Sequence, residues 1–190
     1  MSTEDVCTDD PNEADLRWMR RAIAMAELGG RTPGASPIGC VIVRGDEVLA
    51  EGHNQCGMDH DPTAHAEMVT IRRACAALRA DDLRGAALYS TLQPCGMCSM
   101  ATIWAKVGRV VFGAGRDEVH QMYFEDRHLD TMDFVGDAFR DDLDLVGGVL
   151  KAECARFYER AGAAVPEAEQ RAESGDGDAE AGGGIDVAYC

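Results

Sequence analysis

Leu16, Met19, Ile23 and Ala26 recur at helical spacing, so residues 13–28 predict an amphipathic helix that opens the folded part of the chain. Gly29 and Gly30 read as its stop signal. A β-branched run over 38–43, the turn pair Gly45-Asp46 and a second short strand over 47–50 predict a hairpin. Residues 54–62 read as a loop. Asp61-Pro62 then marks the start of a helix over 63–79. Further along, 86–92 predicts a strand, 96–106 a short helix and 109–113 a buried strand. Residues 128–139 and 149–161 read as helices. No internal repeat interrupts this order, which predicts a three-layer α/β/α arrangement with helices packed on one mixed sheet.

Composition divides the chain into three parts. Residues 1–12 are acidic and polar and read as a flexible N-terminal segment. Residues 13–162 carry all the periodic elements and form one domain, a size that 190 residues accommodate. Residues 163–190, rich in Gly, Ala, Glu and Asp, read as a disordered acidic tail. No apolar run approaches the roughly 18 residues of a membrane helix, and no charged-then-apolar leader is visible. The chain is therefore expected in the cytoplasm, away from membranes.

Charge changes the picture of partners. Asp and Glu number 34 against 18 Lys and Arg, a formal net charge of −16, and only Lys106 and Lys151 are lysines. Such a surface repels phosphate backbones at ordinary salt. It fits either an enzyme that avoids acidic partners or a protein of a salty cytoplasm, where screening makes the charge tolerable. The second reading is favoured, and under it the charge says little about substrate. Eight cysteines in a cytosolic chain do not make a disulfide framework. Cys40 and Cys75 fall in apolar patterns and read as small core residues, Cys56 lies in a loop and Cys154 in a late helix. Cys95 and Cys98 stand apart as a C-x-x-C pair.

Two segments carry the candidate chemistry: Pro62-Thr63-Ala64-His65-Ala66-Glu67 and Gln93-Pro94-Cys95-Gly96-Met97-Cys98. Each lies where a loop or strand turns into a helix. Cys95 and Cys98 are three residues apart, so in a first helical turn both sulfurs face one way. With His65 they make three ligands where tetrahedral zinc takes four, and an open fourth position marks a catalytic rather than a structural site. Glu67, two residues after His65, would point away from it in mid-helix. At a helix start both side chains can reach a metal beyond the end. Glu67 could then take a proton from the attacking water and give it to a leaving amine. Helix-start N–H groups, Ala66 among them, could hold a substrate carbonyl. The bland alternative is a closed zinc knot. It would need a fourth ligand, for which His53 and His60 are the nearest histidines.

The H-x-E segment followed by P-C-x-x-C resembles the cytidine deaminase-like zinc deaminases, over about Asp15 to Tyr158. The resemblance implies a five-stranded mixed sheet with flanking helices. It also implies hydrolytic attack at an amino-bearing ring carbon, with Zn2+ as cofactor. The run from Asp61 to Glu67 resembles both bacterial guanine deaminases and bacterial tRNA adenosine deaminases, and Asn54 resembles the asparagine with which both groups hold the base. Ile103-Trp104-Ala105 and Phe124-Glu125-Asp126 are similar to guanine deaminase segments. By that likeness Asp126 accepts from the amino and ring N–H groups of guanine. Trp104 is either a core residue or a base-stacking platform, and Tyr189, on its Gly-rich tether, is a candidate lid. The resemblance thus implies a small nucleobase or nucleoside substrate, with conversion of guanine to xanthine and ammonia first. Cytosine or another small base, and adenosine in tRNA, are the alternatives. A homodimer is expected by analogy.

Overall fold

The computed structural model describes residues 11–116, 119 and 131–158. Helix α1 (Glu13–Arg31) opens with a reciprocal capping box. The Asn12 side chain accepts from the Asp15 N–H, and the Asp15 carboxylate accepts from the Asn12 N–H. The glycine pair does not stop it. Gly29 is buried inside α1 because the helix passes so close to strand β1 that a β-carbon there would strike the Ser36 carbonyl oxygen and crowd His53. Here the missing side chain serves close packing rather than termination.

Strands β1 (Ser36–Arg44) and β2 (Glu47–Asn54) form the expected hairpin, but β2 runs four residues beyond the predicted end at Ala50. The extension places Asn54 at a strand terminus. The following segment is not all loop: Cys56–Asp59 makes a single helical turn, α2, that buries Cys56. Helix α3 (Ala66–Leu78) starts three residues later than the predicted position 63. The Asp61 carboxylate accepts from both the N–H and the hydroxyl of Thr63, and this local turn competes with the helix. Strand β3 (Ala87–Leu92), helix α4 (Gly96–Trp104) and strand β4 (Arg109–Ala114) follow as expected. Helix α5 (Thr131–Gly136) ends three residues before the predicted end at 139. Strand β5 (Asp144–Val146) is too short for its alternation to stand out. Helix α6 (Lys151–Ala155) begins after Leu150, whose left-handed backbone prevents an earlier start.

The five strands form one mixed sheet in the order β2-β1-β3-β4-β5. Its β2-β1-β3 half is antiparallel and its β3-β4-β5 half parallel. Pleating decides what each residue of β3 faces. Tyr89, paired with Val41, points to the side carrying α1, and its hydroxyl bonds Asp15. Thr91 shares that side and bonds the Tyr158 hydroxyl at the end of the α6 segment. Ser90, paired with Cys40, points to the other side, where α3 lies with α4 beside it. The result is three layers around a core that includes Val41, Ile42, Leu88, Val110 and Val111. Cys40 belongs to that core, whereas Cys75, expected there, is only half-buried.

Candidate active site

The late start of α3 builds the site. His65 is the residue before the helix and has extended backbone, so its ring projects from the helix end rather than along a flank. Cys95 holds the same place at α4, and Cys98 lies in that helix's first turn, fully buried. The two helix starts thus meet at the ends of β2 and β3. His65 Nδ1 stands 3.6 Å from the Cys95 sulfur and 3.6 Å from the Cys98 sulfur. All three ligand atoms lie within 4.8 Å of one another. Tetrahedral zinc with bonds of about 2.0–2.3 Å separates its ligands by about 3.3–3.8 Å, so little rearrangement would admit the ion. One borderline nitrogen and two soft sulfurs suit zinc. Among the described residues no fourth His, Cys, Asp or Glu joins the group. His53 lies apart and bonds the Asn54 carbonyl through Nδ1 at 3.0 Å.

The electrostatics match a metal cradle. The hydrogen bond from Cys98, aided by His65, pulls the Cys95 thiol down to about 4 against the opposing effect of burial. The same contact, with burial and the nearby Glu67, pushes the Cys98 thiol well above its ordinary range. Glu67 stands in the first turn of α3, 4 % exposed. Burial pushes its carboxyl up, His65 draws it down and Cys95 raises it again. Its Oε1 accepts from the Ser90 hydroxyl at 3.0 Å, and its Oε2 faces the Cys98 thiol at 3.6 Å.

Asn54 is completely buried at the end of β2. Its Oδ1 accepts from the Cys56 N–H at 3.1 Å, a local turn that fixes the orientation of the amide. Among the described residues its Nδ2 has no hydrogen-bond partner. The sequence placed Asn54, by resemblance, as the asparagine that holds the base, and an asparagine amide offers both a donor and an acceptor. In the fold the acceptor is engaged and the donor is what remains.

Other predicted residues fall elsewhere. Ala66 is buried at the head of α3, where helix geometry gives its N–H no intrahelical acceptor. Trp104 is not a core residue. It is 77 % exposed at the last position of α4, about 13 Å along the axis from Cys95, and does not join the site described here. Asp126 and Tyr189 lie outside the described residues.

Sequence reading overlooked the supports. The Pro94 carbonyl, just before Cys95, accepts from the hydroxyls of Thr131 at 2.8 Å and Ser99 at 3.4 Å. The Phe134 ring sits over Gly96, where a β-carbon would come within 2.8 Å of it. Helix α5 is thereby docked onto the metal loop. The one available sign was a hydroxyl residue within a buried run, as with Ser99 in α4 and Ser90 in β3.

Comparison with known proteins agrees with this geometry. The profile of the cytidine and deoxycytidylate deaminase zinc-binding region matches residues 12–114. The guanine deaminase of Bacillus subtilis (strain 168) is 37% identical over 112 residues, 59% of this chain and 72% of that protein. The tRNA-specific adenosine deaminase of the same organism is 36% identical over 146 residues, 74% of this chain and 83% of that protein. A solved structure from studies of A-to-I editing by tRNA:A34 deaminases superposes with a TM-score of 0.63 at 32% identity, covering 74% of this chain and 98% of that one. With half the chain matched by the profile and the zinc ligands converging in space, the protein belongs to the cytidine and deoxycytidylate deaminase family and is a zinc-dependent hydrolytic deaminase.

Proposed function

We propose that the protein deaminates a small purine, guanine first, yielding xanthine and ammonia. The observation that carries the small-molecule reading is the state of its arginines. Arg17 pairs with Asp46, Arg21 with Glu51, Arg72 with Asp61, Arg84 with Asp82, and Arg156 with Glu27. Arg73 bonds the Glu51 carbonyl and Gln55. On a chain of net charge −16, the five arginines paired with carboxylates and the hydrogen-bonded Arg73 offer little to a phosphate backbone.

His65, Cys95 and Cys98 would hold zinc, which when bound supplies the Lewis acidity that makes water a nucleophile at neutral pH. Glu67 takes the proton of the attacking water and delivers it to the departing amine, so water and guanine leave as xanthine and ammonia. The free donor of Asn54 suits an acceptor on the purine edge, and the Ala66 N–H offers a second donor beside the metal ligands. By resemblance to guanine deaminases, Asp126 reads the donors of guanine and Tyr189 covers the pocket. We read the assembly as a cytoplasmic homodimer. The exposed Met100 and Trp104 of α4 supply an apolar face for a second copy. No helix among the described residues is long and apolar enough to cross a membrane.

Adenosine in tRNA is the second reading, favoured by the tRNA-specific relative that matches the longer stretch of this chain. The test is ammonia release by zinc-loaded protein, at high and low salt, from guanine, guanosine, cytosine, cytidine, adenine, adenosine and tRNA. Glu67→Ala serves as the blank. Turnover of guanine that falls with Asp126→Ala supports the proposal. Activity confined to tRNA overturns it.

A further inference from the structure

Strand β3 carries a hydroxyl that packing does not require. Ser90 is fully buried and faces α3, in a sheet whose neighbouring positions are Leu88, Val110 and Ile42. A buried hydroxyl without a partner is costly, so the partner it finds is informative. Ser90 makes one described hydrogen bond, 3.0 Å, to Oε1 of Glu67. Besides its own backbone N–H and the weak Cys98 thiol on Oε2, the polar groups near Glu67 are poor substitutes. The Thr70 hydroxyl is engaged with the Ala66 carbonyl at 2.6 Å. Cys40, opposite Ser90 on β1, offers only a weak thiol donor.

We propose that Ser90 is a positioning residue for deamination: its hydroxyl anchors the Glu67 carboxylate through Oε1, so that Oε2 is presented to the metal-binding end of the site. This rests on the reading of Glu67 as the proton carrier. The physical need is plain. Glu67 is a long side chain on the first turn of a helix, and a proton carrier must stay within hydrogen-bond reach of its target through the reaction. One charge-assisted bond from a rigid central strand removes that freedom. The strand is held on both sides, by the Cys40–Ser90 pairing with β1 and the Ser90–Phe112 pairing with β4.

The experiment compares wild type, Ser90→Ala, Ser90→Thr, Glu67→Gln and the double variant Ser90→Ala/Glu67→Gln, each zinc-loaded, on the substrate identified by the ammonia panel. Ser90→Ala is expected to lower kcat roughly 10- to 100-fold, the effect of losing a hydrogen bond to a charged group. KM, bound zinc and Tm should stay close to wild type. Ser90→Thr, which keeps the hydroxyl, restores most of kcat. In the Glu67→Gln background Ser90→Ala costs nothing further, because a residue acting through another loses its effect when that other is gone. A crystal structure of Ser90→Ala should show the Glu67 carboxylate displaced. Unchanged kcat in Ser90→Ala, with Glu67→Gln inactive, overturns the role of Ser90 alone. Full activity in Glu67→Gln overturns the reading of Glu67 and this inference with it. A loss in Ser90→Ala that is matched by lost zinc or a lowered Tm makes Ser90 a structural residue and also overturns it.

Discussion

Asp15 and Glu67 are two carboxylates buried almost equally, 1 % and 4 % exposed, on opposite faces of the same sheet. Each is bonded by a residue of β3, Asp15 by Tyr89 and Glu67 by the adjacent Ser90. Their other partners differ. Asp15 also accepts from the Asn12 N–H at 3.1 Å and forms an ion pair with Arg109 at 2.9 Å, tying α1 to β4. Among the described residues no arginine or lysine forms an ion pair with Glu67. It faces a thiol and a histidine, and burial pushes its carboxyl up. Burial alone therefore does not mark a reactive group. A carboxylate with a countercharge supplied holds the fold, and one whose donors are a hydroxyl, a thiol and its own backbone N–H is available to move a proton.

The largest expected effect tests this contrast directly. Glu67→Gln should lower turnover by about 10²- to 10⁴-fold while bound zinc, read by atomic absorption, is unchanged. Asp15→Asn should do the reverse, lowering stability by about 3 kcal/mol in chemical denaturation because Arg109 loses its buried partner and keeps only the exposed Asp144, with kcat of the folded fraction intact. If Asp15→Asn abolished turnover without unfolding, the division of roles would be wrong.

The pH dependence of the metal-free protein sharpens the comparison. The raised carboxyl of Glu67 means the folded state binds that proton more tightly than the unfolded chain. The stability linked to it is full below the unfolded value of about 4.3 and is lost as pH rises through the folded value. At pH 7 metal-free Glu67→Gln should therefore be more stable than metal-free wild type, and Asp15→Asn less stable. Denaturant midpoints of the same sign for both would remove the distinction.

A smaller effect is expected at the metal loop. Gly96→Ala forces the Phe134 ring away and should weaken zinc binding about tenfold, measured by competition with a chelator. Adding Phe134→Leu should recover much of it. Smallest is Tyr89→Phe, which removes one of the bonds to Asp15 and should cost about 1 kcal/mol of stability with no change in turnover.

Much of the site was legible in the chain. The spacing of Cys95 and Cys98, and of His65 and Glu67, placed the ligands and the carboxylate at two helix starts because local geometry allows few alternatives. The elements carrying strong periodicity, α1, β1, β3, α4 and β4, were likewise readable. What escaped was set by neighbours far along the chain. Gly29 looked like a stop because its reason for being small, the Ser36 carbonyl, belongs to another element. Strand β5 is three residues long and exists because β4 offers it an edge. Trp104 looked like a core residue or a base platform, but the course of α4 turns it outward.

The sequence by itself determined the candidate metal ligands, the acid–base candidate and the longer helices and strands, since these depend on residue type and short-range spacing. Only the tertiary structure decided that the amide nitrogen of Asn54 is left with its donor unused, that Ser90 and Thr131 stand behind the site, and that Asp15 and Glu67, alike as buried acids, meet opposite surroundings. Those outcomes depend on which side of the sheet a residue faces and on partners brought together by pleat and strand pairing, which no local pattern encodes.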